Sequence, residues 1–353
     1  MAARHERAIE IARRAGAYGV LAAHVSTVTW LTGFDANINT GPSPWAHTPL
    51  ALLAPGQRPV LVISDDDAER AAGLDCEVVT YPGYGIGTLD PLGHVATALA
   101  EVVDGRTVAT EPGALPVPLA APLAWVDASL KLYQARAVKD ADEIEKLRVA
   151  IGITDAGQRA AREHAAAGRT ELEVYSEVVA AMEKEAGRPF AMVADLVSGA
   201  DATRWEGPPT TRTMRDGELV ITDLAPRVAG YWGDSCSTVA IGEPGELARR
   251  RHGLVLERIE KVIGAVRPGV RAGALDDTAR AGLDYPHHTG HGIGALYHEE
   301  PRIVPGSEIV LEPNMVIALE PARYEEEGGV RLEWVVLVTP DGCEVLSAHD
   351  LAL

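Results

Sequence analysis

The sequence ITDLAPRVAGYWGDS, residues 221–235, decides the fold of the second half of the chain. An apolar run ends at Asp223, a turn follows at 228–230, and Asp234 lies just beyond the aromatic pair after that turn. The pattern predicts two antiparallel strands, and a hairpin would bring Asp223 and Asp234 face to face on neighbouring strands. Long antiparallel strands with few helices between them are typical of an α+β domain. Strands are expected at 218–224, 231–241, 315–320 and 329–339, and a helix at 246–266.

Two further carboxylates lie on the later strands. Glu320 follows the apolar run MVIAL, and Glu333 lies inside GVRLEWVVLV. A carboxylate in so apolar a strand is costly to bury unless a cation or partner compensates it. Four carboxylates on one sheet would repel one another, and divalent cations would remove that repulsion. One imidazole with four carboxylates suits Mn²⁺, Co²⁺, Fe²⁺ or Zn²⁺.

The imidazole comes from a segment rich in histidine and glycine, HHTGHGIGALYHEEPRI, residues 287–303. His291 is the candidate ligand, and three more histidines surround it. The glycines allow the backbone to pass close to a bulky group. We therefore expect a loop or edge strand that lines a pocket, with His288 as a bystander.

The first half of the chain alternates short apolar segments with Gly/Pro turns, which predicts an α/β domain. Beyond it, Asp140 with Glu143 and Thr170 with Glu173 are capping-box pairs, so two helices should begin there. The first should stop at Gly168 and the second near Gly187. We expect domains at 1–134 and 135–353. In the first domain, a helix is expected at 4–16 and strands at 25–31, 49–53, 60–63 and 107–109.

Composition limits the function classes. The net charge is −19, so the surface should repel nucleic-acid phosphates and anionic lipid, and neither partner is expected. Three widely spaced cysteines form no disulfide framework. The charged N-terminus has no apolar signal-peptide core, and no apolar run is long enough to span a membrane. The expected location is the cytoplasm.

Four motifs, in this order, resemble the creatinase/aminopeptidase-P/prolidase (M24) group of metallopeptidases. They are ITDLAPRVAGYWGDS, HHTGHGIGALYHEEPRI, IALEPARY and GGVRLEWVVLVT. In the first half, VSTVTWLTGFD resembles the signature of the group's N-terminal domain, and KDADEIEKLRVA resembles its inter-domain helix. The resemblance implies an N-terminal creatinase-like α/β domain followed by a pita-bread catalytic domain, and a homodimer.

The resemblance also implies roles for individual residues. Two divalent ions would be held by Asp223, Asp234, His291, Glu320 and Glu333, with Asp234 and Glu333 bridging both. A metal-bridging hydroxide would cleave an Xaa-Pro peptide C–N bond, and Glu320 would relay its proton. His298 would stabilise the tetrahedral intermediate, His287 would line the leaving-group side, and Arg331 would orient a ligand carboxylate.

The chain departs from the group's pattern near the expected pocket. The usual histidine upstream of Asp223 is missing, and Trp205 and Glu206 stand in that region as candidate substrate-pocket residues. The usual D-x-T-R-T reads DSCST, with Ser237 in place of arginine, and Trp334 replaces an acidic residue. Two substrates therefore remain open: a small peptide with an Xaa-Pro bond, or a small non-peptide amide or amidine. A third reading, a binding module without catalysis, is disfavoured by the five ligand candidates.

Overall fold

In a computed structural model that describes residues 3–36, 38, 43–204, 206–325 and 328–353, the chain separates into two units. The first is Met1–Arg136 and the second is Ala137–Leu353. Among the described residues, no helix combines the length and the apolar character needed to cross a membrane.

A mixed sheet forms the centre of the first unit. The elements of this unit are α1 (Ala3–Arg14), β1 (Gly19–Ala22), α2 (Val25–Thr32), β2 (Leu50–Leu53), β3 (Val60–Ser64), β4 (Glu77–Tyr81), α3 (Pro91–Val103), β5 (Val108–Thr110), α4 (Val117–Ala120), β6 (Trp125–Asp127) and α5 (Ser129–Ala135). The strand order of the sheet is β4-β3-β2-β1-β5-β6, with antiparallel pairs around β2 and parallel pairs elsewhere. Successive residues of β1 point to opposite faces, so Val20 and Leu21 belong to different apolar cores.

The strand expected at 25–31 is wrong, because that segment is helix α2. His24 caps its N-terminus by accepting the Ser26 N–H, and Gly33 ends it in the left-handed conformation (φ 76°). Thr32 Oγ1 donates back to the Val28 carbonyl at 2.7 Å. The β-branched residues favour a strand, but these caps and the burial of the helix decide the segment.

The second unit begins with the two capped helices. Glu143 accepts the Asp140 N–H at 2.8 Å, and Thr170 and Glu173 bond reciprocally. The first helix ends at His164, one turn before Gly168, and the second ends at Gly187 as expected. The helices are α6 (Ala141–His164), α7 (Glu171–Ala186), α8 (Glu246–Ala265) and α9 (Ala272–Arg280).

The strands of the second unit pair antiparallel and form three sheets within the described residues. The strands are β7 (Ala191–Ser198), β8 (Leu219–Val228), β9 (Tyr231–Trp232), β10 (Cys236–Ala240), β11 (Gly290–Gly292), β12 (Glu299–Ile303), β13 (Val316–Leu319), β14 (Ala322–Glu325), β15 (Gly328–Arg331), β16 (Trp334–Val338) and β17 (Cys343–Val345). α6 and α7 pack on the β10-β8-β7 sheet, and α8 and α9 pack on the β12-β11-β13-β16-β17 sheet. This is the α+β arrangement expected from the sequence.

Two strands expected to be continuous are interrupted. The segment 231–241 breaks between β9 and β10, and 329–339 breaks between β15 and β16. At the first break, a Cβ on Gly233 would lie 2.5 Å from the Ala150 carbonyl oxygen, so the chain passes α6 too closely for a side chain. Asp234 lies in the first break and Glu333 in the second, outside the regular ladders.

Candidate metal centre

The hairpin expected from residues 221–235 forms, but its register differs from the expectation. Asp223 on β8 pairs with Cys236 on one side and with Asp195 of β7 on the other. Asp234 is therefore two residues away from a directly opposed position, and the predicted face-to-face pair of Asp223 and Asp234 is wrong. The break after Trp232 does not change the register, because Arg227 still pairs with Trp232 and Asp223 with Cys236. In that register Asp234 lies opposite Ala225.

The other three predicted ligands lie on the β12-β11-β13-β16-β17 sheet or directly beside its strands. His291 lies on β11, which pairs with β12 and β13 and is therefore not an edge strand. Glu320 follows β13, and its N–H donates to the Thr289 carbonyl at 2.8 Å. Glu333 donates its N–H to the Cys236 carbonyl at 2.9 Å, which ties the β15–β16 break to β10.

Asp234, His291 and Glu333 converge in the interior. They are buried, and one potential ligand atom of each lies within 4.8 Å of the others. His291 Nε2 is 3.4 Å from Asp234 Oδ2 and 3.8 Å from Glu320 Oε1. His291 Nδ1 lies 3.0 Å from the Gly292 carbonyl oxygen, so a proton on Nδ1 leaves the Nε2 lone pair facing the carboxylates.

Two buried oxygens in this group have no hydrogen-bond partner among the described residues, Asp234 Oδ1 and Glu333 Oε1. A buried carboxylate oxygen without a donor is expensive. Both side chains also face like charges. The oxygens are therefore the ones a cation would satisfy.

The pKa values show the same cost of burying several carboxylates side by side. Burial, with repulsion from Glu320 and Asp195, raises the pKa of Asp223 from 3.8 to about 7 despite the nearby Arg331. Burial, followed by repulsion from neighbouring carboxylates, raises the pKa of Asp234 and of Glu333 well above the usual range. Burial lowers the pKa of His291 to about 3, so its imidazole is neutral and able to coordinate. A divalent cation would favour the ionised carboxylates and the neutral imidazole together.

Glu320 differs from the other carboxylates because histidines surround it. His288 Nε2 lies 2.8 Å from Glu320 Oε1, and His287 Nδ1 lies 3.7 Å from Oε2. Burial opposes ionisation, but these neighbours hold the pKa of Glu320 well below its usual range. His288, interpreted from the sequence as a bystander, thus directly contacts a candidate ligand.

The remaining predicted histidines lie at the same place. The His298 ring centroid is 4.2 Å from that of His291, and His298 stacks on Tyr297. His287 Nε2 lies 2.9 Å from the Tyr324 hydroxyl. Burial lowers the pKa of both His287 and His298, which favours neutral imidazoles at neutral pH.

The guanidinium group of Arg331 lies beside the carboxylates of Asp223 and Asp195. Its Nη2 donates to Asp223 Oδ2 at 2.5 Å and lies 3.7 Å from Asp195 Oδ2, and its Nε donates to Cys236 Sγ at 3.3 Å. Sequence reasoning missed Asp195 and Tyr324. Their only signal was alternation along a strand, which does not show that a polar residue faces a site.

The structure describes only one of the two candidate substrate-pocket residues, Trp205 and Glu206. Trp205 lies outside the described residues. Glu206 is exposed, and its charge contributes to raising the pKa of Asp195 after the larger effect of burial. Asp195 Oδ1 accepts the N–H of Gly207 at 3.0 Å, so the segment after Glu206 is tied to the strand beside Asp223.

The fold and this set of donors define a metal-dependent hydrolase, and comparisons with known proteins agree. The model of metallopeptidase family M24 matches residues 145–340. The chain belongs to metallopeptidase family M24.

Relatives and solved structures extend the similarity beyond the matched segment. The chain is 34% identical to the "Probable dipeptidase PepE" of Mycobacterium tuberculosis over 271 residues, which is 72% of this chain and 70% of that protein. It is 34% identical to the Xaa-Pro dipeptidase of Pyrococcus furiosus over 226 residues, 62% of this chain and 65% of that protein.

Two solved structures cover nearly the whole length of this chain. The dipeptidase PepE from Mycobacterium ulcerans superposes with a TM-score of 0.79 at 27% identity, and covers 99% of this chain and 96% of that one. The prolidase from Pyrococcus furiosus gives a TM-score of 0.81 at 25% identity, with 97% and 99% covered. The expected order of an N-terminal domain and a pita-bread catalytic domain is therefore confirmed.

Proposed function

We propose that this chain is a dinuclear-metal Xaa-Pro dipeptidase or aminopeptidase, which hydrolyses the peptide C–N bond before proline. One observation carries the proposal: Asp234 Oδ1 and Glu333 Oε1 are buried without a hydrogen-bond partner in the described residues, beside the neutral imidazole of His291. The names of the relatives, which include a dipeptidase and an Xaa-Pro dipeptidase, support the substrate class.

The residues that would hold the ions are Asp223, Asp234, His291, Glu320 and Glu333. Oxygen and imidazole donors suit Mn²⁺, Co²⁺, Zn²⁺ or Fe²⁺. Asp234 and Glu333 lie close together beside His291, so both carboxylates would be able to contact both ions. When bound, the ions supply a hydroxide nucleophile at neutral pH and polarise the scissile carbonyl.

The chain's own residues would handle protons and orientation. Glu320 is ionised beside His288 Nε2, which lies 2.8 Å from its Oε1, and it would accept a proton and deliver it to the leaving nitrogen. His298 would donate a hydrogen bond to the oxygen that gains charge, and His287 would contact the leaving group. Arg331 fixes one oxygen of Asp223 at 2.5 Å and so directs the other.

The missing upstream histidine bears on specificity. We propose that Glu206 and Trp205 contribute to the substrate pocket where that histidine is usual. The relatives compared above are peptidases by name, so they give no support to the alternative, hydrolysis of a non-peptide amide or amidine.

The decisive experiment is a metal and substrate panel on the purified protein. Metal-free protein should take up about two equivalents of Mn²⁺ or Co²⁺ by calorimetry, and the loaded enzyme should cleave Ala-Pro or Leu-Pro but not Ala-Leu. Asp234→Asn should lose metal and activity together, whereas the exposed control Asp277→Asn should keep both.

Cleavage confined to longer Xaa-Pro peptides would select an aminopeptidase over a dipeptidase. No turnover of any proline peptide by enzyme with its metal bound would contradict the proposal. Absence of metal uptake would contradict the metal site itself.

We also propose that the protein is a cytoplasmic homodimer. The family resemblance supports the dimer, and the free cysteines Cys76, Cys236 and Cys343 suit a reducing compartment. Light scattering after size-exclusion chromatography should give twice the mass of one 37.4 kDa chain. A monomeric mass at micromolar concentration would contradict the dimer.

A further inference from the structure

Gln158 on α6 lies behind the two strands that carry the aspartates. Its side chain is 2% exposed. Its Nε2 lies 3.0 Å from the carbonyl oxygen of Thr222 and 3.0 Å from that of Ser235. Thr222 precedes Asp223, and Ser235 follows Asp234. One amide therefore holds the backbone next to both candidate ligands.

Ser237 orients this amide. Its Oγ donates to Gln158 Oε1 at 2.5 Å, so the acceptor end of the amide is occupied and the donor end must face the two carbonyls. Ser237 stands where the resemblance predicts arginine. Gln158 Nε2 also lies 3.1 Å from Ser235 Oγ, and that hydroxyl competes for the same two hydrogens.

The segment that carries Asp234 leaves regular strand pairing, but the residues on either side of Asp234 stay hydrogen-bonded to β8. Between β9 and β10, the Gly233 N–H donates to the Pro226 carbonyl, and the Ser235 carbonyl accepts the Leu224 N–H. Asp234 Oδ1 has no donor among the described residues. The direction of the carboxylate therefore depends on the backbone on either side of it.

We propose that Gln158 is a positioning residue, which fixes Asp223 and Asp234 relative to each other so that the pair can share the ions. Ser237 acts through it by holding the amide in the productive orientation. The inference rests on the proposed function in that the two aspartates are metal ligands. It assigns no contact between Gln158 and substrate or metal.

The experiment compares metal binding in Gln158→Met, Ser237→Ala and the double variant. Methionine keeps the length and volume of the side chain but removes all of its hydrogen bonds. Calorimetric titration of metal-free protein with Mn²⁺, well below the unfolding midpoint, should show about 10- to 100-fold weaker binding for Gln158→Met. The Co²⁺ absorption spectrum should also change, because the ligand geometry changes. Gln134→Met, at an exposed position, should bind like the wild type.

Ser237→Ala should weaken binding less than Gln158→Met, and the double variant should be no weaker than Gln158→Met alone, because both changes act through one amide. Ser237→Ala keeps the inference testable if Gln158→Met fails to fold. A purely structural role would lower the unfolding midpoint but leave the Mn²⁺ affinity and the Co²⁺ spectrum of the folded variant unchanged, and that result would overturn the inference. Additive losses in the double variant would overturn the claim that Ser237 acts through Gln158. If the wild type binds no metal, the proposed function fails instead, and the two failures are therefore distinguishable.

Discussion

Replacing Lys139 by methionine should strongly destabilise the second unit. Lys139 Nζ donates to Glu299 Oε2 at 2.8 Å, and the two side chains are 0% and 1% exposed. Glu299 Oε1 accepts the Leu296 N–H at 3.2 Å, so the pair supports the loop that carries His298. Removing one member of a buried ion pair takes a counterion away from the other, which costs about 3–5 kcal/mol.

The matched control is the double variant Lys139→Met/Glu299→Gln. Glutamine keeps an acceptor for the Leu296 N–H and removes the buried charge, so the double variant should recover most of the lost stability. The effect should be larger than that of an exposed pair such as Arg271 with Glu308, for which about 0–1 kcal/mol is expected.

Hydrogen exchange is the suitable assay because it separates the two units. Peptides that cover residues 290–303 should lose protection in Lys139→Met by the free energy given above, while those of the first unit keep theirs. A loss below about 1 kcal/mol would refute the reasoning, since it would mean that solvent or a proton compensates Glu299. A double variant no more stable than the single variant would refute it as well.

Three further predictions concern the metal centre. In metal-free protein, the pKa of Asp223 is raised from 3.8 to about 7, so the proton on Asp223 stabilises the fold below pH 3.8 and this contribution is lost as the pH rises to about 7. Calorimetry should therefore show the melting temperature of the wild type falling relative to that of Asp223→Asn across this interval, and a constant difference would argue against the raised pKa. Glu320→Gln should abolish turnover, because a ligand charge and the proton acceptor are lost together; near-normal kcat for Ala-Pro in a metal-loaded sample would remove Glu320 from the mechanism. Arg331→Met should weaken Mn²⁺ binding about 10- to 100-fold at pH 7, since Asp223 loses its 2.5 Å donor and holds its proton more tightly; unchanged affinity in a calorimetric titration would exclude that role.

The site brings the predicted residues together without the simple pairing that the sequence suggested. The sequence predicted carboxylates on neighbouring strands, but Asp234 and Glu333 lie in breaks of those strands. At each break the chain leaves regular strand pairing while neighbouring residues stay hydrogen-bonded, and Asp234 and Glu333 meet His291 there. Strand periodicity predicts which face a residue occupies, but it contains no information about such interruptions.

The sequence by itself determined the α+β class of the second unit, the starts of its first two helices and the order of the ligand candidates along the chain. These follow from local physics: apolar runs, turn residues and capping pairs three residues apart, such as Thr170 with Glu173. Only the tertiary structure decided that 25–32 is a helix, that His288 contacts Glu320, and that Gln158 holds Ser235 from 77 residues away. The helix depends on its burial as well as on its local caps, and the other two contacts join segments distant in sequence. All three therefore exist only once the sheets and helices have packed.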